Sequence, residues 1–187
     1  MVLTASSYKV LNRGTPAPDF NLLGTDGRAY SLSNFKGKKL LLVIFMCNHC
    51  PYVQPKMDYF VELQTRYGAQ GLQVVGINSN DVSKYPDDSL ENMKRWAKEK
   101  KFNFPYLFDE TQEVARAYGA ECTPDPFLFD GSLTLAYHGR FDDAHGKSHS
   151  AAKSSEMEEA IKQMLEGKEI TVETMPSMGR NIKWKVR

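Results

Sequence analysis

The stretch Leu40-Leu41-Leu42-Val43-Ile44-Phe45-Met46-Cys47-Asn48-His49-Cys50-Pro51 decides how the rest of the chain is read. Its first seven residues are apolar without alternation, the pattern of a strand covered on both faces inside a parallel sheet. Pro51 suits a first helical turn, where its missing N–H has no intrahelical use. Cys47 and Cys50 therefore fall on a strand-to-helix junction. The spacing of Val53, Met57, Phe60, Val61 and Tyr67 predicts a helix over 51–67 that Gly68 ends. Leu72, Val74, Val75 and Ile77 form the next buried strand and complete a right-handed βαβ unit.

Outward from this unit the pattern stays mixed. Phe20 to Leu23 and Arg28 to Leu32 flank Gly24-Thr25-Asp26-Gly27, whose Asp-Gly pair suits a tight turn, so an N-terminal β-hairpin is expected. Downstream, Asp88 or Ser89 caps a helix running to about Lys100. Phe104 to Phe108 is a strand, and Asp109 or Thr111 caps a short helix that Gly119 closes. Phe127-Leu128-Phe129 and Leu133 to His138 bracket Asp130-Gly131-Ser132 as an antiparallel hairpin. Ser155 with Glu158 reads as a capping box for a last helix that stops at Gly167. Residues 141–154 are small and polar and read as an exposed loop. Residues 1–18, ending in Pro16-Ala17-Pro18, read as an extended arm, and 168–187 as an irregular tail. The expectation is one α/β domain over 1–187, a central mixed sheet with helices on both faces.

Composition excludes several classes of function. The chain has 187 residues, 41% hydrophobic and 25% charged, in the range of globular proteins rather than disordered or fibrous ones. Its 24 basic against 23 acidic residues provide no bulk field for nucleic acid or an anionic membrane. The longest apolar run, Leu40 to Met46, falls far short of the roughly 20 residues of a membrane helix. Met1 to Val10 has neither a basic start nor a sustained apolar stretch, so the expected location is the cytoplasm. Three cysteines are too few for a disulfide scaffold, which makes the thiols chemical rather than architectural.

A thiol beside a helix N-terminus meets free backbone N–H groups and the positive end of the dipole, which favour the thiolate. Cys47 is expected to be that thiolate and to attack, with Cys50 about one turn deeper and resolving. Such a pair closes and reopens a disulfide without rebuilding the fold, a two-electron cycle. His49 can add partial positive charge to the reduced form. The other readings are a zinc or copper site, for which the additional ligands are Cys122 and scattered His138, His145 and His149, and a pair of inert core thiols. Cys122 reads as a small buried side chain or an extra thiol, the histidines from His138 to His149 as solvated, and Met46, Met57 and Met93 as core fillers.

With these residues in place the sequence resembles the thioredoxin superfamily, in its redoxin branch of peroxiredoxin-like and TlpA-like thiol oxidoreductases. Pro16-Ala17-Pro18-Asp19-Phe20-Asn21-Leu22 resembles that branch's opening, Cys47-Asn48-His49-Cys50 its redox turn, Pro55 its helix-kinking proline and Thr123-Pro124 its cis-proline loop. Phe45 to Val53 and the Ile182-Lys183-Trp184 ending are similar to a peroxiredoxin-like subgroup. The resemblance implies a thioredoxin fold in which Pro124 faces Cys47 and the Thr123 backbone pairs with an extended substrate peptide. It implies a thiol-disulfide oxidoreductase without organic cofactor or metal, acting as monomer or homodimer. Its partners would be a disulfide-bearing protein or a thiol reductant system. A thiol peroxidase and a metallochaperone are the alternatives. The chain departs from the patterns it resembles at four positions. Leu40 and Ile44 stand where peroxiredoxins carry Pro and Thr before the reactive cysteine, and Leu41 where thioredoxins bury an Asp. Arg180 stands in Gly179-Arg180-Asn181-Ile182, where the subgroup often has cysteine, so a third thiol is not expected there.

Overall fold

The computed structural model describes residues 2–186. The apolar run is strand β4 (Leu40–Phe45), every residue of it buried. It lies parallel to β5 (Leu72–Asn78) and antiparallel to β8 (Asp125–Asp130). The sheet continues through β6 (Tyr106–Phe108) to the hairpin of β2 (Asn21–Gly24) and β3 (Ala29–Ser31), and on the other side to β9 (Leu135–His138). The seven-stranded order is β3-β2-β6-β5-β4-β8-β9.

Alternation along β4 sends side chains to two cores. Leu40, Leu42 and Ile44 pack with α1 (Met57–Tyr67), α2 (Leu90–Glu99) and α4 (Glu156–Leu165), through Met57, Phe60, Leu63, Met93, Met157 and Ile161. Leu41, Val43 and Phe45 pack with Phe20, Phe35 and, from α3 (Glu113–Tyr118), Val114, Ala115 and Tyr118. Helices therefore cover both faces, the mixed α/β architecture expected from the sequence. Each fully buried side chain of this kind contributes about 1.5–3 kcal/mol.

Most local signals hold. Ser89 caps α2 by accepting from the Asn92 amide, Gly119 closes α3 at φ +69°, and Gly167 follows α4 at φ +71°. Several expectations need correction. Residues 51–56 form a turn and then a 3-10 turn (Gln54–Lys56), so α1 starts at Met57 rather than at Pro51. The short helix α3 is preceded by Gln112 in the left-handed region, while the Asp109 carboxylate accepts from the Val114 and Ala115 amides. In the β8–β9 turn the residue at positive φ is Leu133, since Asp130 accepts from the Ser132 and Thr134 amides and holds the turn. Ser155 makes no side-chain cap; Glu158 points away, accepting from Tyr59, Tyr67 and Arg66.

The largest corrections are at the two ends and in the polar segment 141–154. The arm carries β1 (Leu3–Ala5) and the tail carries β10 (Met178–Asn181), which together with β7 (Cys122–Thr123) build a second sheet in the order β1-β10-β7. Within 141–154, Phe141, Asp142 and Ala144 are buried. Asp142 pairs with Lys56 at 2.7 Å and with His149 at 2.8 Å, and His149 stacks on Tyr59. His138 is buried against Asp125 at 2.7 Å rather than solvated. Among the described residues, no helix is long and apolar enough to cross a membrane.

Candidate active site

β4 ends at Phe45 and delivers Cys47 and Cys50 to a turn whose shape is held by a residue far away in sequence. Asp88 is fully buried, in a 3-10 turn before α2. Its Oδ1 accepts from the Asn48 and His49 amides at 2.8 and 3.2 Å, and its Oδ2 from the Asn80 side chain at 2.8 Å. His49 Nδ1 lies 2.5 Å from the same Oδ2. Asn48, also fully buried, donates to the Asp87 carbonyl and accepts from the Tyr106 hydroxyl. The segment between the cysteines is thus clamped rather than an exposed turn. His49 is half-buried and stacks on Tyr85 with centroids 5.3 Å apart. Its bond to Asp88 raises its pKa, against the opposing effect of burial.

Across from this turn the Thr123-Pro124 peptide is cis. The Cys47 sulfur lies 3.6 Å from the Thr123 hydroxyl and 4.0 Å from His49 Nδ1. The Cys50 sulfur lies 3.3 Å from the Thr123 carbonyl oxygen, to which it donates when protonated. All three cysteines are free and buried. The structure therefore brings Cys47, Asn48, His49, Cys50, Thr123 and Pro124 to one place. Cys122 lies on β7 with its sulfur 3.8 Å from the Pro124 carbonyl and 4.0 Å from that of Ser177; burial pushes its thiol up.

The charge distribution differs from the sequence expectation. Burial, the neighbouring Cys50 and the Asp88 carboxylate hold the Cys47 thiol well above its ordinary range. Cys50 is brought down to about 6, chiefly by a hydrogen bond from Cys47, with burial opposing and the Thr123 hydroxyl and the Tyr52 and Arg180 amides adding donors. This environment favours charge on Cys50 over Cys47 in the reduced pair, the reverse of the sequence expectation. The physical reason is that Cys47 is fully enclosed and faces the Asp88 carboxylate, whereas donors surround Cys50.

Two functional residues were not legible as such. Asp88 looked like a helix cap, because only the fold shows that its carboxylate reaches back forty positions to the redox turn. Arg180 was part of a tail without pattern. Its amide reaches Cys50 and its guanidinium lies over the Tyr52 ring at 5.5 Å.

The Cys47 sulfur, His49 Nδ1 and an Asp88 oxygen lie within 4.8 Å of one another, a spacing that three metal donors can have. Both Asp88 oxygens, however, are engaged by two partners each. A cation there would have to displace the bonds that hold the redox turn.

Fold and site together define a thioredoxin-fold protein with an adjacent pair of free thiols facing a cis-proline loop. The fold matches the thioredoxin domain of a thiol-disulfide oxidoreductase from Bacteroides vulgatus, with a TM-score of 0.59 over 68% of this chain and 88% of that one, at 21% identity. Residues 13–138 match the AhpC/TSA family, and the chain belongs to it. A conserved protein of Geobacillus kaustophilus superposes with a TM-score of 0.93 at 39% identity, covering 100% of this chain and 98% of that one. The thiol-disulfide oxidoreductase ResA of Geobacillus thermodenitrificans is 30% identical over 117 residues, 63% of either chain. The chloroplastic peroxiredoxin Q of Sedum lineare is 30% identical over 145 residues, 73% of this chain and 74% of that one. Rice peroxiredoxin Q is matched over 46% of its length.

Proposed function

We propose that the protein is a thiol-disulfide oxidoreductase that cycles Cys47 and Cys50 between dithiol and disulfide. The observation that carries this reading is the pair of free sulfurs held beside Thr123, Cys47 3.6 Å from its hydroxyl and Cys50 3.3 Å from its carbonyl oxygen. ResA, among its relatives, bears that activity in its name. In the cycle, Cys47 passes its proton to Cys50 and attacks one sulfur of a substrate disulfide, and the other substrate sulfur leaves with the electron pair. Cys50 then gives up its proton to the departing substrate thiolate or to solvent and attacks the Cys47 sulfur. The second substrate thiol is released, and the enzyme holds the Cys47–Cys50 disulfide. Cys50 is walled in by Thr123 and two backbone amides, which suits it to the inner, resolving step.

A second reading, thiol peroxidase, is favoured by the similarity to peroxiredoxin Q. There Cys47 thiolate would take the terminal oxygen of a peroxide as sulfenic acid, releasing an alcohol or water. Cys50 would condense with it and expel water. Two assays on the reduced chain separate the cases: release of thiol from a model disulfide, and loss of peroxide with a dithiol reductant present. The oxidoreductase reading expects the first to be fast and the second no faster than with Cys47→Ser. Peroxide loss that depends on Cys47, without disulfide exchange, would replace it with the peroxidase.

A further inference from the structure

We propose that the chain's own strand β10 occupies the backbone edge beside the redox sulfurs, so that the enzyme acts on compact, low-molecular-weight disulfides and excludes extended polypeptides. This rests on the thiol-disulfide reading above and specifies its substrate. An extended peptide that presents a sulfur to Cys47 would gain affinity by pairing its backbone with the strand holding Thr123. That position is already taken. β10 runs antiparallel to β7, with Arg180 opposite Thr123 and Asn181 opposite Cys122. The sequence resemblance implied substrate pairing at Thr123; the structure fills that edge from within.

The fit depends on Gly179. A Cβ at this position would lie 2.0 Å from the Thr123 carbonyl oxygen and 2.6 Å from its carbon, both backbone atoms that cannot yield. The strand is also fastened on every side, so it is a wall and not a loose strap. On its far edge it pairs with β1. Beyond it, the Ile182 amide donates to the Glu121 carbonyl at 2.9 Å and the Ile182 side chain is buried in the core that holds Phe45. The Lys183 amide donates to the Asn80 side chain, and the Lys183 carbonyl accepts from the Asp81 amide and the Gln112 side chain, each at 2.8 Å. Arg116 lies over the Trp184 ring at 4.3 Å. The partly exposed side chains beside the sulfurs are His49, Tyr52 and Arg180.

The test uses the full reduced chain and two mixed disulfides of thionitrobenzoate. One carries cysteine, and the other a cysteine at the centre of an unstructured peptide long enough to form a strand. Attack by Cys47 releases thionitrobenzoate, Cys50 then displaces the bound thiol, and the dithiol ends oxidised and the substrate reduced. Each rate is normalised to that with free dithiothreitol, which removes intrinsic reactivity. The cysteine compound is expected to react at least about tenfold faster, because the peptide must break about two or three backbone bonds of β10 before it can lie along Thr123. In Gly179→Ala, with the fold checked by circular dichroism, the ratio is expected to fall toward one, whatever the change in the absolute rates. If Gly179→Ala does not fold, the wild-type ratio decides alone. Equal normalised rates in the wild type would overturn the proposal. Release from neither compound would instead overturn the thiol-disulfide reading on which it stands.

Discussion

At the scale of single residues the chemistry comes from how one proton is divided between two sulfurs. The pKa of Cys50 lies near 6 and that of Cys47 well above its ordinary value, so the ultraviolet absorbance of the thiolate should titrate near pH 6 in the reduced protein. Cys50→Ser should remove that step and leave only an alkaline one; a midpoint unchanged by the substitution would contradict the assignment. The same shift has a consequence for stability. Because the folded value is below that of an unfolded thiol, its contribution is complete above about pH 8.5 and is lost as pH falls through about 6. The difference in urea midpoint between the reduced wild type and Cys50→Ser should therefore grow from pH 6 to 8.5. Asp88 sets the other charge. Asp88→Asn keeps an acceptor for the Asn48 and His49 amides but removes the anion beside the imidazole, so the His49 pKa followed by NMR should fall. An unmoved His49 titration would show that another group holds its proton. The cysteine spacing was legible from sequence at this scale, whereas the identity of the thiolate was not. It depends on contacts with Thr123 and Arg180, which lie 73 and 130 positions beyond Cys50.

At the scale of elements the site rests on α1 and the helical turn before it. Phe60 and Leu63 are fully buried in the core beneath the redox turn, so Phe60→Ala should cost about 3–5 kcal/mol by urea unfolding. Glu62→Ala, on the exposed face of the same helix, should stay within about 0.5 kcal/mol. The pair Lys56–Asp142 is buried on both sides, and Asp142→Ala would leave an unpaired ammonium at a cost of about 3–5 kcal/mol. A loss under about 1 kcal/mol would mean that the Lys56 ammonium finds water or another partner. Elements set by local rules were readable. β4 is apolar at every position, Ser89 is a cap and Gly119 a stop. Elements set by distant partners were not. Asp142 looked like loop polarity until Lys56 came to meet it, and Glu158 looked like a capping box until Tyr59, Tyr67 and Arg66 claimed it.

At the scale of the molecule, the two chain ends close the site that the central βαβ unit opens. β1 and β10 carry no periodic pattern because they are short strands whose pairing, not their side chains, defines them. The architecture was legible because the buried run, the hairpins and the amphipathic helices all agree on one sheet, and the covering of the Thr123 edge was not, because a glycine's close approach leaves no hydropathy signal. Whether Cys47 and Cys50 form a reversible couple is read by mass spectrometry after thiol trapping, on protein equilibrated in glutathione buffers of defined potential. A Cys47–Cys50 disulfide should appear and disappear as a single two-electron transition, with Cys122 reduced throughout. Sulfurs 47 and 50 that never pair, or Cys47 joined to Cys122, would contradict it.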